Sequence, residues 1–142
     1  MPGPIDVSLV IPVFNERQNL APLMEEIRVA LAGRRYEIVA VDDGSTDGSL
    51  DALKAEKAQR PELHIVSFAA NAGQTAAFAA GFRAARGEVI VFTDARQRFA
   101  STTVRELAAN FADSSVGAVT GELTLEDVGQ DAGRTHAAGM YW

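Results

Sequence analysis

The sequence contains no cysteine among its 142 residues, so disulfides, thiolate metal sites and a cysteine nucleophile are excluded. No apolar run is long enough to span a bilayer, and no basic segment precedes the apolar stretch near the N-terminus, so neither a transmembrane helix nor a signal peptide is predicted. The default expectation is therefore a cytoplasmic protein, or one at the cytoplasmic face of a membrane if the full-length protein has transmembrane helices.

Basic residues are also scarce, because 13 Lys and Arg stand against 19 Asp and Glu and leave a net charge of -6. General nucleic-acid binding is disfavoured, since phosphate neutralisation needs a basic face. An acidic protein can still bind an anion through backbone N–H groups, a few placed cations or a bridging metal.

Two nucleotide-binding fingerprints are missing as well, since neither GxGxxG nor GxxxxGK[ST] occurs. A phosphoacceptor receiver domain also clusters aspartates in a parallel α/β fold. Here, however, the paired acids Asp42 and Asp43 follow the second predicted strand rather than the first, and no well-placed lysine comes late in the chain. The receiver interpretation is therefore disfavoured.

What the sequence does contain is a regular alternation of strand-length apolar runs and helix-length segments. It predicts strands at 7–13, 36–41, 63–68, 88–93 and 116–123, with helical segments within 16–33, 46–61, 73–87 and 101–113. This alternation is typical of an α/β fold with a mostly parallel sheet flanked by helices. With 47% hydrophobic residues and no linker or repeat, the chain is predicted to be one domain over 1–142.

Acidic or amide side chains follow each of the first four predicted strands. They are Asn15 and Glu16, Asp42 and Asp43, Asn71, and Asp94. Any one of them suits a turn or a helix N-cap. Ligands of open α/β sheets bind at the carboxyl ends of the strands, so the set together predicts a cleft at that edge.

Four stretches resemble family 2 glycosyltransferases of the GT-A fold in their order and spacing. They are VIPVFNE (10–16), VDDGSTDGS (41–49), NAGQTAAFAAGFRAARGEVIVFTDA (71–95) and GAVTGEL (117–123). The segment 73–87 is similar to polyprenyl-phosphate sugar transferases, and the triplet DAR (94–96) resembles cellulose-synthase-like transferases. The resemblance implies a Rossmann-like GT-A domain that binds a nucleotide-diphospho-sugar, with the chain ending before the acceptor-binding half.

The resemblance further implies an inverting transfer from a nucleotide sugar, expected to be UDP-linked, to a hydroxyl or polyprenyl-phosphate acceptor. Pro12, Val13 and Phe14 would form the wall against the base. Asp43 would accept from the imide of the base, Glu16 would reach the ribose, and Asp42 would hold the loop or contact the nucleoside from behind. The full set of implied nucleotide contacts is Pro12, Val13, Phe14, Glu16, Asp42, Asp43, Asn71, Gly73, Gln74, Thr93, Asp94, Ala95 and Arg96.

The family's metal motif, DxD, is incomplete here, because Arg96 stands where the second acid is expected. Two alternatives stay open. Either Asp94, the one catalytic candidate in this chain, holds Mg²⁺ or Mn²⁺ with the diphosphate oxygens completing the shell, or Arg96 itself contacts phosphate as a fixed cation.

The residues that follow the paired acids are predicted to have structural roles. Gly44 is predicted to form a tight turn, with Ser45, Thr46 and Asp47 as caps of the following helix.

The general base of relatives lies in their acceptor half, and Glu126 and Asp127 come too early in the chain to be that motif. A donor-binding module without transferase activity is the rival interpretation. A homodimer is also expected, because an exposed apolar sheet face or edge strand would favour self-association.

Overall fold

The computed structural model describes residues 3–98 and 100–121, which form an α/β layer structure with four parallel strands. The elements are β1 (Val7–Val13), α1 (Arg17–Ala30), β2 (Tyr36–Asp42), α2 (Ser49–Gln59), β3 (Leu63–Ser67), α3 (Gln74–Ala84), β4 (Val89–Phe92), α4 (Thr103–Ala109) and a 3₁₀ turn (Asn110–Ala112). Over these residues, no helix combines the length and apolar character needed to cross a membrane.

The sheet has the strand order β3-β2-β1-β4, and every pairing is parallel. In the β1–β2 ladder, Val7 lies opposite Tyr36 and Val13 lies opposite Asp42. The carboxyl ends of the four strands therefore meet at one edge, as the sequence predicted. In the described sheet, β3 and β4 are the outer strands.

The central strands are buried on both faces, which explains why they read as near-continuous apolar runs. On one face, Leu9 and Ile11 belong to a core that includes the predicted apolar stripe of α1 (Leu20, Leu23, Met24, Ile27 and Leu31). On the other face, Val10, Val39 and Val41 pack with Ala77 of α3.

Gly81 lets α3 lie very close to the sheet. A Cβ atom placed on Gly81 would overlap the Val10 side chain and would come within 3.2 Å of Val41 Cγ2. A larger residue at this position would push the helix away from β1. The Ala-rich composition of α3 therefore has a packing reason.

An ion pair between the buried Glu37 and the exposed Arg86 lies at the amino ends of the strands, far from the carboxyl edge. The Glu37 carboxylate accepts from Ser8 Oγ at 2.7 Å, from the Arg86 backbone N–H at 2.6 Å and from Arg86 Nη2 at 2.7 Å. Ser8 Oγ in turn accepts from the Gly87 backbone N–H at 2.7 Å. Burial raises the pKa of Glu37, but the hydrogen bonds from Ser8 and Arg86 outweigh it and hold the pKa below its usual value.

The predicted fifth strand is wrong over its described part, because residues 116–121 adopt no regular secondary structure. Residues 122 and 123 lie outside the described residues. In this segment the Val116 N–H donates to Asp113 O, which is a turn contact rather than a ladder bond. A strand requires a neighbouring ladder, and β-propensity alone does not supply one.

Candidate functional site

The loops after β1 and β2 are joined at the carboxyl edge of the sheet. Asn15 adopts a left-handed conformation with φ of 52°, which asparagine tolerates better than most residues. Its backbone N–H donates to Ser45 Oγ at 3.0 Å, and its Oδ1 accepts from the Thr46 backbone N–H at 2.8 Å. Ser45 and Thr46 therefore bridge two loops, and their predicted role as caps of the next helix is wrong.

The same pair of loops satisfies the first N–H groups of α1. Ser49 Oγ accepts from the Glu16 N–H at 3.0 Å, and Asp47 Oδ2 accepts from the Arg17 N–H at 3.2 Å. Asp47 Oδ1 also accepts from the Ser49 N–H at 2.9 Å, at the first residue of α2. Asp47 thus supports both helices, and the position of Glu16 is set by residues about 30 positions later in the chain.

Asp43 is buried and ties the end of β2 to the loop after β3. Its Oδ1 accepts from the Ala72 N–H at 2.6 Å, while its Oδ2 accepts from Asn71 Nδ2 and from the Gly73 N–H, both at 3.0 Å. A carboxylate offers about four lone-pair sites. By this count, one lone pair on Oδ1 accepts no hydrogen bond from the residues that the structure describes.

Gly44 makes this contact between loops possible. It has φ of +71°, and a Cβ atom placed on it would lie 2.5 Å from Asn71 N and 2.6 Å from Ala70 C. The two backbones touch at a position where only glycine fits.

Asp42 differs from its neighbour, because its buried Oδ1 has no hydrogen-bond partner among the residues that the structure describes. The residue is 2% exposed and sits opposite Val13 at the end of the β1–β2 ladder. An unpaired buried acceptor costs about 1–3 kcal/mol unless a donor reaches it. The loop-holding role expected of Asp42 belongs to Asp43, and a contact between Asp42 and a nucleoside stays a prediction.

Arg96 and Glu16 form an ion pair at the carboxyl edge of the sheet. Arg96 Nε donates to Glu16 Oε1 at 2.5 Å, joining segments 80 residues apart in the chain. Asn19 Nδ2 donates to Glu16 Oε2 at 2.6 Å. The Glu16 side chain is 11% exposed, whereas that of Arg96 is 65% exposed. Sequence reasoning missed Asn19, although its position three residues after Glu16 on α1 was a usable signal.

The turn after β4 is built on Asp94. Its Oδ1 accepts from the backbone N–H groups of Arg96 at 2.8 Å and Gln97 at 3.0 Å. Thr93 is buried, and its Oγ donates to Gln97 Oε1 at 2.8 Å. Ala95 is buried as well. The Asp94 carboxylate therefore uses one oxygen to hold the turn that carries Arg96.

The predicted wall residues for the base divide into core and surface. Val13 is fully buried in the core, and its carbonyl accepts from the Asp43 N–H at 2.8 Å. Phe14 is 45% exposed, and Pro12 is partly buried. Phe14 is thus the predicted wall residue with substantial accessible aromatic surface.

The residues present fit a divalent cation poorly. In the described part of the chain, no group of three or more His, Cys, Asp or Glu side chains could hold a metal ion. Asp94 is a single acid with one oxygen committed to its turn, and the side chain two residues later is a guanidinium. Hard divalent cations require several oxygen ligands.

Comparisons with known proteins give a consistent result. A family model described as Glycosyl transferase family 2 matches residues 8–138. The chain is 43% identical over 93 residues to a dodecaprenyl-phosphate galacturonate synthase of Rhizobium johnstonii, covering 63% of this chain and 28% of the relative. It is 46% identical over 99 residues to an undecaprenyl-phosphate 4-deoxy-4-formamido-L-arabinose transferase of Pseudomonas syringae, covering 66% and 29%. The matched part thus spans less than a third of the length of these relatives.

Solved structures share the fold. A mannosyltransferase from Pyrobaculum calidifontis, in complex with GDP-Man and Mn²⁺, superposes with a TM-score of 0.74 at 28% identity, covering 81% of this chain and 36% of that one. Staphylococcus aureus TarS 1-349 with UDP-GlcNAc superposes with a TM-score of 0.65 at 24% identity, covering 78% and 32%. These neighbours are GT-A glycosyltransferases, so the expected GT-A fold is confirmed.

Proposed function

The chain belongs to glycosyl transferase family 2, and from that membership we propose that it binds a nucleotide-diphospho-sugar at the carboxyl edge of its sheet. The observation that carries the proposal is the convergence of Glu16, Asp42, Asp43 and Arg96 at that edge, supported by hydrogen bonds between loops distant in sequence. The whole protein would transfer the sugar to a polyprenyl phosphate, as the names of the two relatives suggest. A hydroxyl-bearing carbohydrate is the alternative acceptor.

The nucleoside would bind at the ends of β1 and β2. Asp43 has one acceptor site left on Oδ1, which suits the imide N–H of uracil, and a hydrogen bond to a charged group is worth about 1.5–3 kcal/mol. Phe14 and Pro12 would flank the base, and Glu16 would accept from the ribose hydroxyls. The unpaired Asp42 Oδ1 would receive a donor from the nucleoside side. A UDP-linked donor is therefore our first choice.

The diphosphate would lie between the start of α3 and the turn after β4. Gly73 immediately precedes α3, and Gln74 is the first residue of this 11-residue helix, whose first N–H groups favour an anion. Thr93, Asp94, Ala95 and Arg96 form the opposite wall. Charge on the leaving diphosphate would be met by Arg96, or by Mg²⁺ or Mn²⁺ held by Asp94 and the diphosphate oxygens. The second alternative is supported by the neighbour solved with GDP-Man and Mn²⁺.

Transfer by this family requires attack of the acceptor oxygen on the anomeric carbon, and we propose a single inverting displacement. Asp94 would act on the leaving-group side. The general base would come from the acceptor-binding half, beyond this chain. Glu126 and Asp127, which were set aside for this role, lie outside the described residues. Since the suggested acceptor is a lipid phosphate, we place this activity at the cytoplasmic face of a membrane.

Nucleotide binding tests the proposal directly. Calorimetric titration of the 142-residue chain with UDP, GDP, ADP and dTDP should show binding of one of them, with UDP expected to be the tightest. Asp43→Ala should weaken that binding at least about tenfold. Asp51→Ala, which removes an exposed acid from α2, is the matched control and should bind as the wild type does. A folded chain that binds none of the four nucleotides would refute the proposal.

A binding module without transfer activity is the second candidate, favoured by Arg96 in place of the second acid of DxD. A radiolabelled UDP-sugar incubated with undecaprenyl phosphate distinguishes the two candidates. Labelled lipid product shows transfer, whereas nucleotide binding with neither product nor donor hydrolysis shows a module.

A homodimer also stays a prediction. Phe82 and Phe92 stack with ring centroids 6.3 Å apart beside the outer strand β4, and both are about half exposed. Sedimentation equilibrium of the wild type and of Phe82→Ser measures this directly. If the chain self-associates through Phe82 and Phe92, the variant should shift towards monomer.

A further inference from the structure

We propose that Arg96 takes the place of the divalent cation at the donor diphosphate, and that Glu16 and Asn19 hold its guanidinium in position. The inference rests on the proposed function and deepens it, because it assigns the charge that faces the diphosphate. It makes nucleotide binding by this chain independent of metal ions. Arg96 is the contact residue, and Asn19 is a positioning residue that acts through Glu16.

The guanidinium of Arg96 is held at one end and free at the other. Its Nε donates to Glu16 Oε1, and within residues 3–98 and 100–121 neither Nη group has a hydrogen-bond partner. The side chain is 65% exposed at the carboxyl edge of the sheet. A guanidinium has five N–H donors in a planar fork that matches phosphate oxygens. Four of these donors stay available for a diphosphate.

The support behind the guanidinium is itself fixed. The Glu16 backbone N–H is bound to Ser49 Oγ, and its carboxylate receives Asn19 Nδ2 at 2.6 Å from the next turn of α1. Glu16 is largely buried, so its carboxylate has little freedom to follow a mobile arginine. Less conformational entropy is therefore lost when Arg96 binds an anion.

The turn after β4 also favours the arginine over a metal. Asp94 Oδ1 binds the backbone N–H of Arg96, so the acid expected to ligate a cation instead shapes the segment that carries a cation of its own. A divalent ion on Asp94 would have a like charge on the same turn. It would also lack the second carboxylate that holds it against the pyrophosphate.

The experiment compares a nucleoside diphosphate with its nucleoside, in EDTA and in Mn²⁺. For the wild type, UDP (or GDP, if the panel selects it) should bind in EDTA within about twofold of its affinity in Mn²⁺. Arg96→Ala should weaken the diphosphate about 10- to 100-fold and leave uridine (or guanosine) unchanged. Arg98→Ala is the matched control, because Arg98 is an exposed arginine two residues later that pairs with Glu26. It should bind both ligands as the wild type does.

The positioning role is tested by a double-mutant cycle. Asn19→Ala should weaken UDP several-fold in the wild-type background and much less in the Arg96→Ala background, where only its support of Glu16 at the ribose remains. Equal effects in both backgrounds would show a merely structural role and overturn this part of the proposal.

Two further results would overturn the inference while leaving the proposed function intact. One is a wild type that binds UDP only with Mn²⁺ and loses it in EDTA. The other is an Arg96→Asp variant, which restores two acids with one residue between them, that still binds UDP in EDTA like the wild type. We expect this variant to bind UDP only when Mn²⁺ is present. If no nucleotide binds to any variant under any condition, both the inference and the proposed function are wrong.

Discussion

Asp43 and Asn71 are hydrogen-bonded across the ends of neighbouring strands, with Asn71 Nδ2 3.0 Å from Asp43 Oδ2 and 3.3 Å from the Asp43 carbonyl oxygen. With the N–H groups of Ala72 and Gly73, this contact makes the loop after β3 depend on one carboxylate. The same carboxylate is our candidate for reading the base. Stability and recognition are therefore coupled at this position.

Asp43→Asn tests how much the Asp43 carboxylate contributes to stability. In the wild type these N–H donors meet a carboxylate oxygen, whereas in the variant some of them would face the NH₂ group of the asparagine. We therefore expect the free energy of unfolding to fall by about 1–3 kcal/mol. Urea unfolding followed by circular dichroism measures it. Asp51→Asn, at an exposed position on α2, is the control and should change stability by less than about 0.5 kcal/mol. An Asp43→Asn variant as stable as the wild type would contradict the role of the carboxylate in the loop.

Gly44→Ala should destabilise the chain in two ways. The added methyl group would overlap the backbone of the loop after β3, and an alanine would be strained at a φ of +71°. Gly33 provides the control, because it has φ of +82° but nothing within 4 Å of its would-be Cβ. Gly33→Ala should therefore cost only the left-handed strain of about 1–2 kcal/mol. Gly44→Ala should cost more and also weaken nucleotide binding, since it pushes Asn71 away from Asp43. Equal losses of unfolding free energy in the two variants would argue against a close approach at Gly44.

Glu37 should make stability depend on acid pH. Its pKa is lowered in the folded chain, because the hydrogen bonds from Ser8 and Arg86 outweigh burial. Its contribution is therefore fully present above the unfolded glutamate pKa of about 4.3 and is lost as pH falls through the lower folded pKa. Glu37→Gln should be less stable than the wild type at pH 7 by about 2 kcal/mol, since a charged acceptor is lost.

Unfolding in urea at several pH values between 7 and 3 checks this. The difference in unfolding free energy between the wild type and Glu37→Gln should narrow as the pH falls below about 4. Other acids with lowered pKa values, such as Asp6 and Asp47, affect both proteins alike and cancel in the difference. A difference that stays constant with pH would refute the assignment.

Gly81→Ala should destabilise the chain by about 1–3 kcal/mol, because the added methyl group overlaps the Val10 side chain in a packed core. Val10→Ala makes room for it. We expect the double variant to be more stable than the sum of the two single losses predicts, which thermal and urea unfolding of all four proteins would show. Strictly additive losses would mean that α3 does not pack against Val10 as described.

Sequence determined the fold class, the four strands of the described sheet and the edge at which a ligand would bind, because hydrophobic periodicity and the alternation of strands and helices can be read from consecutive residues. It also indicated the family through motifs that are short and contiguous. Only the tertiary structure decided which hydrogen bonds each polar residue makes. Asp42 and Asp43 look equivalent in the chain, but only Asp43 meets the donors of the loop after β3, about 28 residues later.

The same reason explains the remaining differences. Ser45 and Thr46 look like helix caps until Asn15 is placed beside them, and the predicted fifth strand fails over 116–121 because no neighbouring ladder is described there. The sequence left Arg96 with two interpretations, the loss of a metal-binding acid or a direct contact to phosphate. The fold pairs it with Glu16, 80 residues earlier, and so holds its guanidinium at the carboxyl edge of the sheet. Hydrogen-bond partners this distant in the chain depend on which strands become neighbours, and no local pattern records that.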